Sequence, residues 1–410
     1  MSQGTTITNA RLIDGRVVDI EVADGLISAV DEASDRPGRD GQLLDVDQWL
    51  VLPAMAEPHA HLDKALTADL VPNPRGDLVG AIDAWVEAAS AGRITHEDTV
   101  SRAVTAAQML AARGVTAVRS HVNVGEGYGA SAVQAVNEAR TELGDLIDLQ
   151  TVALVQSPIA GPEGAGNRAA LDEAVEAGVN LIGGCPHLEP DGSSVIAHAI
   201  AVASQAQLPI DLHVDETLDA SMLTLPDYAR QVIDAGFDIG ITASHCVSLG
   251  MQAPQVQAEV ARVVADANMS IVALPQTNLF LQSRGIPTAA PRGLTALDAL
   301  LDAGVNVAAG ADNVQDPFNL LGRSDPLETA ALMVMAGHRS PAVAYDMVSN
   351  ASRRAMGLAP VNFAVGDPAD FVAINAPTLR AAIADAPMAR RTFRGGRLIA
   401  SVDQQIRLYN

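Results

Sequence analysis

Eight short apolar runs, each ending in polar or ionisable residues, alternate with alanine-rich stretches of helical period along most of this 410-residue chain. The runs are LVLPAMAEPHAH (50–61), VTAVRSHVNV (115–124), DLQTVALVQS (148–157), VNLIGGCPHLE (179–189), PIDLHVDE (209–216), IGITASHCV (239–247), SIVALPQTN (270–278) and VNVAAGADN (305–313). Segments between them, such as HEDTVSRAVTAAQMLAARG and NRAALDEAVEAG, carry helical spacing, and several stop at glycine, as a C-terminal cap would. From His121 onward the run ends recur every 26 to 36 residues or so, about the length of one strand–helix unit, and the units share no side-chain pattern that would mark a solenoid. Eight consecutive strand-then-helix units predict an α/β protein, a (β/α)8 TIM barrel.

The two ends of the chain read differently. Residues 7–33 alternate β-type runs with Asp-Gly turns at Asp14-Gly15 and Asp24-Gly25, and RRTFRGGRLIASVD reads as a hairpin around Gly395-Gly396. A charged Pro/Gly loop is expected at Arg36 to Gly41. The chain therefore divides into an N-terminal β part (1–50), the barrel (51–358) and a C-terminal β part (359–410). The outer two pair into one small β-sandwich domain.

Composition narrows the function. There are 49 acidic against 26 basic side chains, a formal charge of −23, so nucleic acid and anionic membrane surfaces, which need clustered cations, are not expected partners. No apolar run reaches the roughly 18 residues of a membrane span, and the opening residues lack a basic stretch followed by an apolar one. Two cysteines, Cys185 and Cys246, cannot frame a chain of this length with disulfides, so a reducing cytoplasm is the expectation. Homo-oligomerisation is the usual habit of such enzymes.

In barrels of this kind the chemistry sits at the C-terminal strand ends. Six of the nine histidines fall there: His59, His61, His121, His187, His213 and His245. Alternate residues of a strand face the same way, so His59 and His61 both aim into the barrel mouth. His213 and Asp312 add a third imidazole and a carboxylate. That donor set suits one divalent zinc or iron ion and is too rich in nitrogen for magnesium or calcium. A zinc site built from His-x-Glu and Pro-Cys-x-x-Cys is excluded because the two cysteines are far apart in sequence.

The order His-x-His after the first strand, HVDE after the fifth, SHC after the sixth and GADN after the eighth resembles the amidohydrolase superfamily, and more narrowly its bacterial cytosine deaminase branch. The likeness runs through nearly the whole chain, including VRSHVNV, DLQTVALVQ, GGCPHLE, NLFLQSRG, DNVQDPFNLLG and VGDPADFVAI. It implies a hydrolytic deaminase of a nitrogen heterocycle, with one metal on His59, His61, His213 and Asp312. It also implies Glu216 as proton shuttle, His245 as support for the attacking hydroxide and Gln156 on the substrate ring. Many superfamily members hold two metals through a carboxylated lysine on the fourth strand; the sole lysine here is Lys64, so one metal is implied.

Two positions depart from the cytosine deaminase pattern. The aspartate ligand is followed by Asn313 rather than a second aspartate, and Lys64 stands where threonine is usual. Both resemble the branch of N-isopropylammelide isopropylaminohydrolases, which lacks the HVDE glutamate kept here. Lys64 and Asn313 are thus substrate-binding candidates, as is His187. His187 and Glu189 either reach the substrate or form a hydrogen-bonded pair beneath the rim, and Trp85 and Phe318 either stack on a planar ring or pack the core. Gln276, Asn278, Gln282 and Arg284 are expected on a loop after strand seven. The readings open at this level are a cytosine-like aminohydrolase, an s-triazine amine or other cyclic amide hydrolase, and a barrel that binds without catalysis.

Overall fold

The computed structural model describes residues 4–33 and 42–409; the Arg36–Gly41 segment lies outside the described residues. Eight parallel strands, in sequential order, form one sheet: Met55–Ala60, Val115–Val124, Asp148–Val155, Leu181–Gly183, Ile210–Val214, Ile241–His245, Ser270–Ala273 and Asn306–Ala309. Each sequence run thus contains a strand. The sheet closes at its seam through a parallel bridge between Ala60 and Asp312, with the Asp312 amide donating to the His59 carbonyl at 3.1 Å.

Glu57 locks that seam. Its buried carboxylate accepts the Ala311 amide (3.0 and 3.1 Å) and the His59 amide (3.3 Å). A Cβ on Gly310 would lie 2.4 Å from Glu57 Oε1, so only glycine lets the last strand come this close. Burial pushes the Glu57 carboxyl up to about 8.

Helices cover the barrel with apolar residues inward, as in Ala103, Ala106, Ala107 and Leu110 of His96–Ala112, whose cap is the Thr95 hydroxyl. Helix Leu225–Ala235 ends on Gly236 at φ 61°, the left-handed cap that glycine adopts freely. Strands buried on both faces explain why the runs read as continuous apolar segments rather than alternating ones.

The chain ends build the second sheet from eight strands: Thr5–Arg11, Val17–Ala23, Leu26–Glu32, Gln42–Asp45, Leu50–Pro53, Phe371–Ile374, Arg390–Arg394 and Arg397–Val402. Thr5–Arg11 pairs with both Gln42–Asp45 and Leu50–Pro53, so the sheet branches there. Residues of both arms, among them Ile7, Ile20, Phe371 and Phe393, share one core. The expected hairpins at Asp24-Gly25 and Gly395-Gly396 form with both turn residues at positive φ. The run 50–61 is two strands rather than one: Leu50–Pro53 belongs to this second sheet and Met55–Ala60 opens the barrel. Ala54 donates to the Asp370 carbonyl at the switch between sheets, a tertiary contact that a continuous apolar run does not reveal. No helix among the described residues is long and apolar enough to cross a membrane.

Candidate metal centre and active site

Four side-chain atoms from strands one, five and eight converge at the barrel mouth. His59 Nε2 lies 3.1 Å from His213 Nε2 and 3.7 Å from Asp312 Oδ1. His61 Nε2 lies 3.3 Å from His213 Nε2 and 3.2 Å from Asp312 Oδ1. The second nitrogen of His59 fixes which of its lone pairs points inward. The Ser244 hydroxyl donates to Asp211 (3.0 Å), so His59 Nδ1–H donates to Ser244 Oγ (2.9 Å) and Nε2 is left bare. His61 Nδ1 lies 3.1 Å from the His121 carbonyl and 3.3 Å from the Lys64 ammonium.

His213 Nε2 can carry at most one proton for the two imidazoles and the carboxylate packed around it, so the cluster is costly unless something positive lies within it. Both oxygens of Asp312 are buried without a hydrogen-bond donor. A tetrahedron of ligands at the usual zinc–nitrogen distance has edges of roughly 3.3–3.4 Å, close to the four spacings here. The donor set therefore fits one divalent ion of the zinc or iron type. Burial, then neighbouring imidazoles and Lys64, hold His59, His61 and His213 well below their ordinary range, which keeps them neutral and able to ligate.

Glu216 and His245 flank this centre. His245 Nε2 is 3.7 Å from Glu216 Oε2 and 3.9 Å from Asp312 Oδ2, and has no hydrogen-bond partner. Its Nδ1 faces Asn278 Oδ1 at 3.2 Å. Burial, reinforced by the Asp312 charge, raises the Glu216 carboxyl well above the usual range. Burial brings His245 down to about 4. His245 and Asp312 both sit at φ 69°, a region that non-glycine residues seldom occupy, so two strands leave the barrel through strained residues at the same place.

The cavity over the centre is lined by Lys64, Asn123, Gln156, Glu216, His245 and Asn313 on its polar side, and by Leu78, Ile82, Trp85, Leu154, Leu188 and Phe318 on its apolar side. Lys64 is buried, its ammonium donating to Asn123 Oδ1 (2.9 Å) and Asp63 (3.1 and 3.2 Å), 5.5 Å from the Trp85 ring centre. Gln156 Oε1 accepts the Tyr128 hydroxyl at 3.2 Å. The Asn313 amide is held at both ends, accepting from Thr277 Oγ1 (3.2 Å) and donating to Asp316 Oδ2 (2.8 Å).

His187 does not line the cavity. It sits in the turn Pro186–Leu188, its Nδ1 3.1 Å from the His213 carbonyl, and burial lowers it to about 4. Glu189 accepts the Ile159 and Ala160 amides (2.6 and 3.0 Å) and so fixes the loop after strand three. The loop expected at Gln276–Arg284 is in its first part a helix, Pro275–Leu281, because Pro275 at its first turn starts a helix as readily as it breaks one. That helix carries Asn278 to His245, while Gln282 donates to the Glu216 carbonyl at 3.1 Å and Gln276 to Thr329 at 2.7 Å. Sequence reading passed over Arg119, Asp211 and Ser244 behind His59. The one signal for Arg119 and Asp211 is a charge inside an otherwise apolar run, VTAVRSHV and PIDLHV; Ser244 carries none.

The chain is similar to proteins of known activity. A model of the amidohydrolase family matches residues 95–400. A pterin deaminase of Rhizobium rhizogenes (strain K84) is 34% identical over 363 residues, covering 87% of this chain and 82% of that protein. The crystal structure of 5-methylcytosine deaminase from Klebsiella pneumoniae liganded with 5-fluorocytosine superposes with a TM-score of 0.87 at 28% identity, covering 98% of this chain and 99% of that one. N-isopropylammelide isopropylaminohydrolase from Burkholderia multivorans superposes with a TM-score of 0.83 at 25% identity, with 98% and 99% coverage.

Proposed function

This chain belongs to the amidohydrolase family and is a hydrolase of carbon–nitrogen bonds in cyclic amidines, and we propose that it is a metal-dependent deaminase releasing ammonia from an amino-substituted pyrimidine or pterin ring. The observation that carries this reading is the convergence of three imidazole Nε2 atoms and an undonated carboxylate beside the buried Glu216, whose proton affinity burial raises.

His59, His61, His213 and Asp312 would hold one zinc or iron ion. Such an ion supplies a nucleophile at neutral pH by acidifying water. The remaining chemistry belongs to the chain. Glu216 would take one proton from the attacking water and deliver it to a ring nitrogen, then pass the water's second proton, from the newly attached hydroxyl, to the departing amine, a role its raised affinity for protons suits. His245 offers its free Nε2 to the attacking oxygen, with its ring set by Asn278. Gln156 and Asn313 address the ring's polar edge, and Lys64 places a cation at the mouth. His187 acts from beneath His213 rather than on the ring. Trp85, Leu154 and Phe318 give a planar ring an apolar bed and exclude water.

A second reading is an s-triazine amine hydrolase. Asn313 after the aspartate ligand and Lys64 after His-Leu-Asp favour it, as does the likeness to the Burkholderia aminohydrolase. The retained Glu216 favours the first. The two part in a release screen with metal-supplemented protein over pterin, cytosine, isocytosine, ammelide and N-alkyl ammelides. Ammonia from a pterin or oxopyrimidine supports the proposal; amine release from N-alkyl ammelides alone transfers the chain to the second reading. Turnover of none, with substoichiometric metal after supplementation, overturns both.

A further inference from the structure

Beneath the metal centre the barrel core holds a chain of buried polar groups that the proposed chemistry does not use. Arg119, Asp211 and Ser244 come from strands two, five and six, and all are buried. Arg119 Nη1 donates to Asp211 Oδ2 at 2.8 Å and to Thr242 Oγ1 at 3.2 Å. Its Nε donates to Gln150 Oε1 (3.0 Å), and its Nη2 to the carbonyl of Ala355 (3.0 Å), in the short helix Asn350–Ala355. Asp211 Oδ1 accepts the Ser244 hydroxyl at 3.0 Å, and Ser244 Oγ meets His59 Nδ1 at 2.9 Å. The path therefore runs unbroken from a helix carbonyl, through guanidinium, carboxylate and hydroxyl, to one ligand imidazole. His121 completes the support: its ring stacks on that of His59 at 3.9 Å, 27° from parallel, with Nε2 3.6 Å from Asp211 Oδ2.

The polarity of the path has one solution. Arg119 only donates, so the Asp211 carboxylate accepts from it. The remaining Asp211 oxygen then takes the Ser244 proton, leaving the Ser244 oxygen to accept from His59 Nδ1–H. That assigns the tautomer with Nε2 bare. The other imidazoles are held differently: His61 Nδ1 lies between the His121 carbonyl (3.1 Å) and the Lys64 ammonium (3.3 Å), His245 Nδ1 faces Asn278, and His213 Nδ1 has no partner.

We propose that Asp211 and Ser244, anchored by Arg119, are positioning residues that fix the tautomer and aim of His59 and thereby set metal affinity. The proposal rests on the metal-dependent reading above. A carboxylate behind a ligand histidine is worth about 10–100-fold in metal affinity or activity. Here a serine hydroxyl is interposed, so Ser244 is the link that can be cut without stranding the Arg119–Asp211 ion pair.

The test is a chelator-competition titration of zinc against the purified full chain and its Ser244→Ala and Asp211→Asn variants, with the melting temperature of each metal-free protein measured alongside. The expected result is a roughly 10–100-fold higher zinc Kd for Ser244→Ala, with a metal-free melting temperature near that of the parent. Ser244→Ala binding zinc as tightly as the parent overturns the proposal, whatever its stability. Failure of the parent to bind zinc or iron at all overturns the metal-dependent reading instead, and so is distinguishable. Should Asp211→Asn fail to fold with Arg119 left uncompensated, Ser244→Ala decides alone.

Discussion

Two buried aspartates, thirteen positions apart, show opposite treatments of the same group. Asp325 lies where the second sheet meets the barrel. Arg390 grips it with both nitrogens at 2.8 Å, Arg113 adds a third contact at 3.0 Å, and the Leu327 amide donates at 3.1 Å as the start of helix Pro326–Met335. Its backbone is relaxed at φ −118°. Asp312 has no donor on either oxygen, sits at φ 69° and faces the Nε2 atoms of His59 and His61. A buried charge that the chain satisfies holds parts together. A buried charge that it leaves unsatisfied, on a strained backbone, is kept for a ligand.

If that contrast is right, substitutions on the two sides fail in different ways. The largest effect belongs to the unsatisfied side. Glu216→Gln keeps shape and burial but cannot pass a proton, so kcat should fall by about 10²–10⁴-fold with the melting temperature unchanged. Steady-state kinetics on the best substrate together with a thermal melt check it, and a variant with full activity would remove Glu216 from the proton path.

Next comes the satisfied side. Asp325→Ala strands Arg390, which is fully buried, beside Arg113. Removing one partner of such a pair costs about 3–5 kcal/mol. The expectation is a large fall in denaturant midpoint, with kcat of the protein that remains folded close to the parent's. A fall in kcat without loss of stability would break the contrast, because it would mean that the domain junction reports to the site.

Legibility in the sequence followed the same division. The barrel was readable because parallel strands buried on both faces leave apolar runs, and helix stops at glycine punctuate them. The metal-ligand candidates were readable because strand ends place alternate residues on one face, as with His59 and His61. The Arg390–Asp325 contact was not, since its partners are 65 positions apart and each sits in a segment with an ordinary local pattern. Nor was the path behind His59, which joins three strands. The placement of His187 under His213 depends on a turn at Pro186 that no periodicity marks. Local chemistry shows in a sequence; pairing across a fold does not.

Lys64 tests the boundary between the two kinds of buried charge, because it has features of each. Its ammonium has acceptors in Asp63 and Asn123, as a structural cation would. Yet it lies 3.3 Å from the Nδ1 of the candidate ligand His61 and lines the cavity. An ammonium is compact, whereas a guanidinium is a planar fork that needs more room and different partners. A guanidinium in its place would meet Asp63, Asn123 and His61 with a different geometry. Lys64→Arg is therefore expected to lower kcat/KM by about tenfold or more, equivalent to about 1.4 kcal/mol, with a smaller change in melting temperature. Near-parental kinetics with a lowered melting temperature would place Lys64 with Asp325, as a charge that the fold keeps for itself.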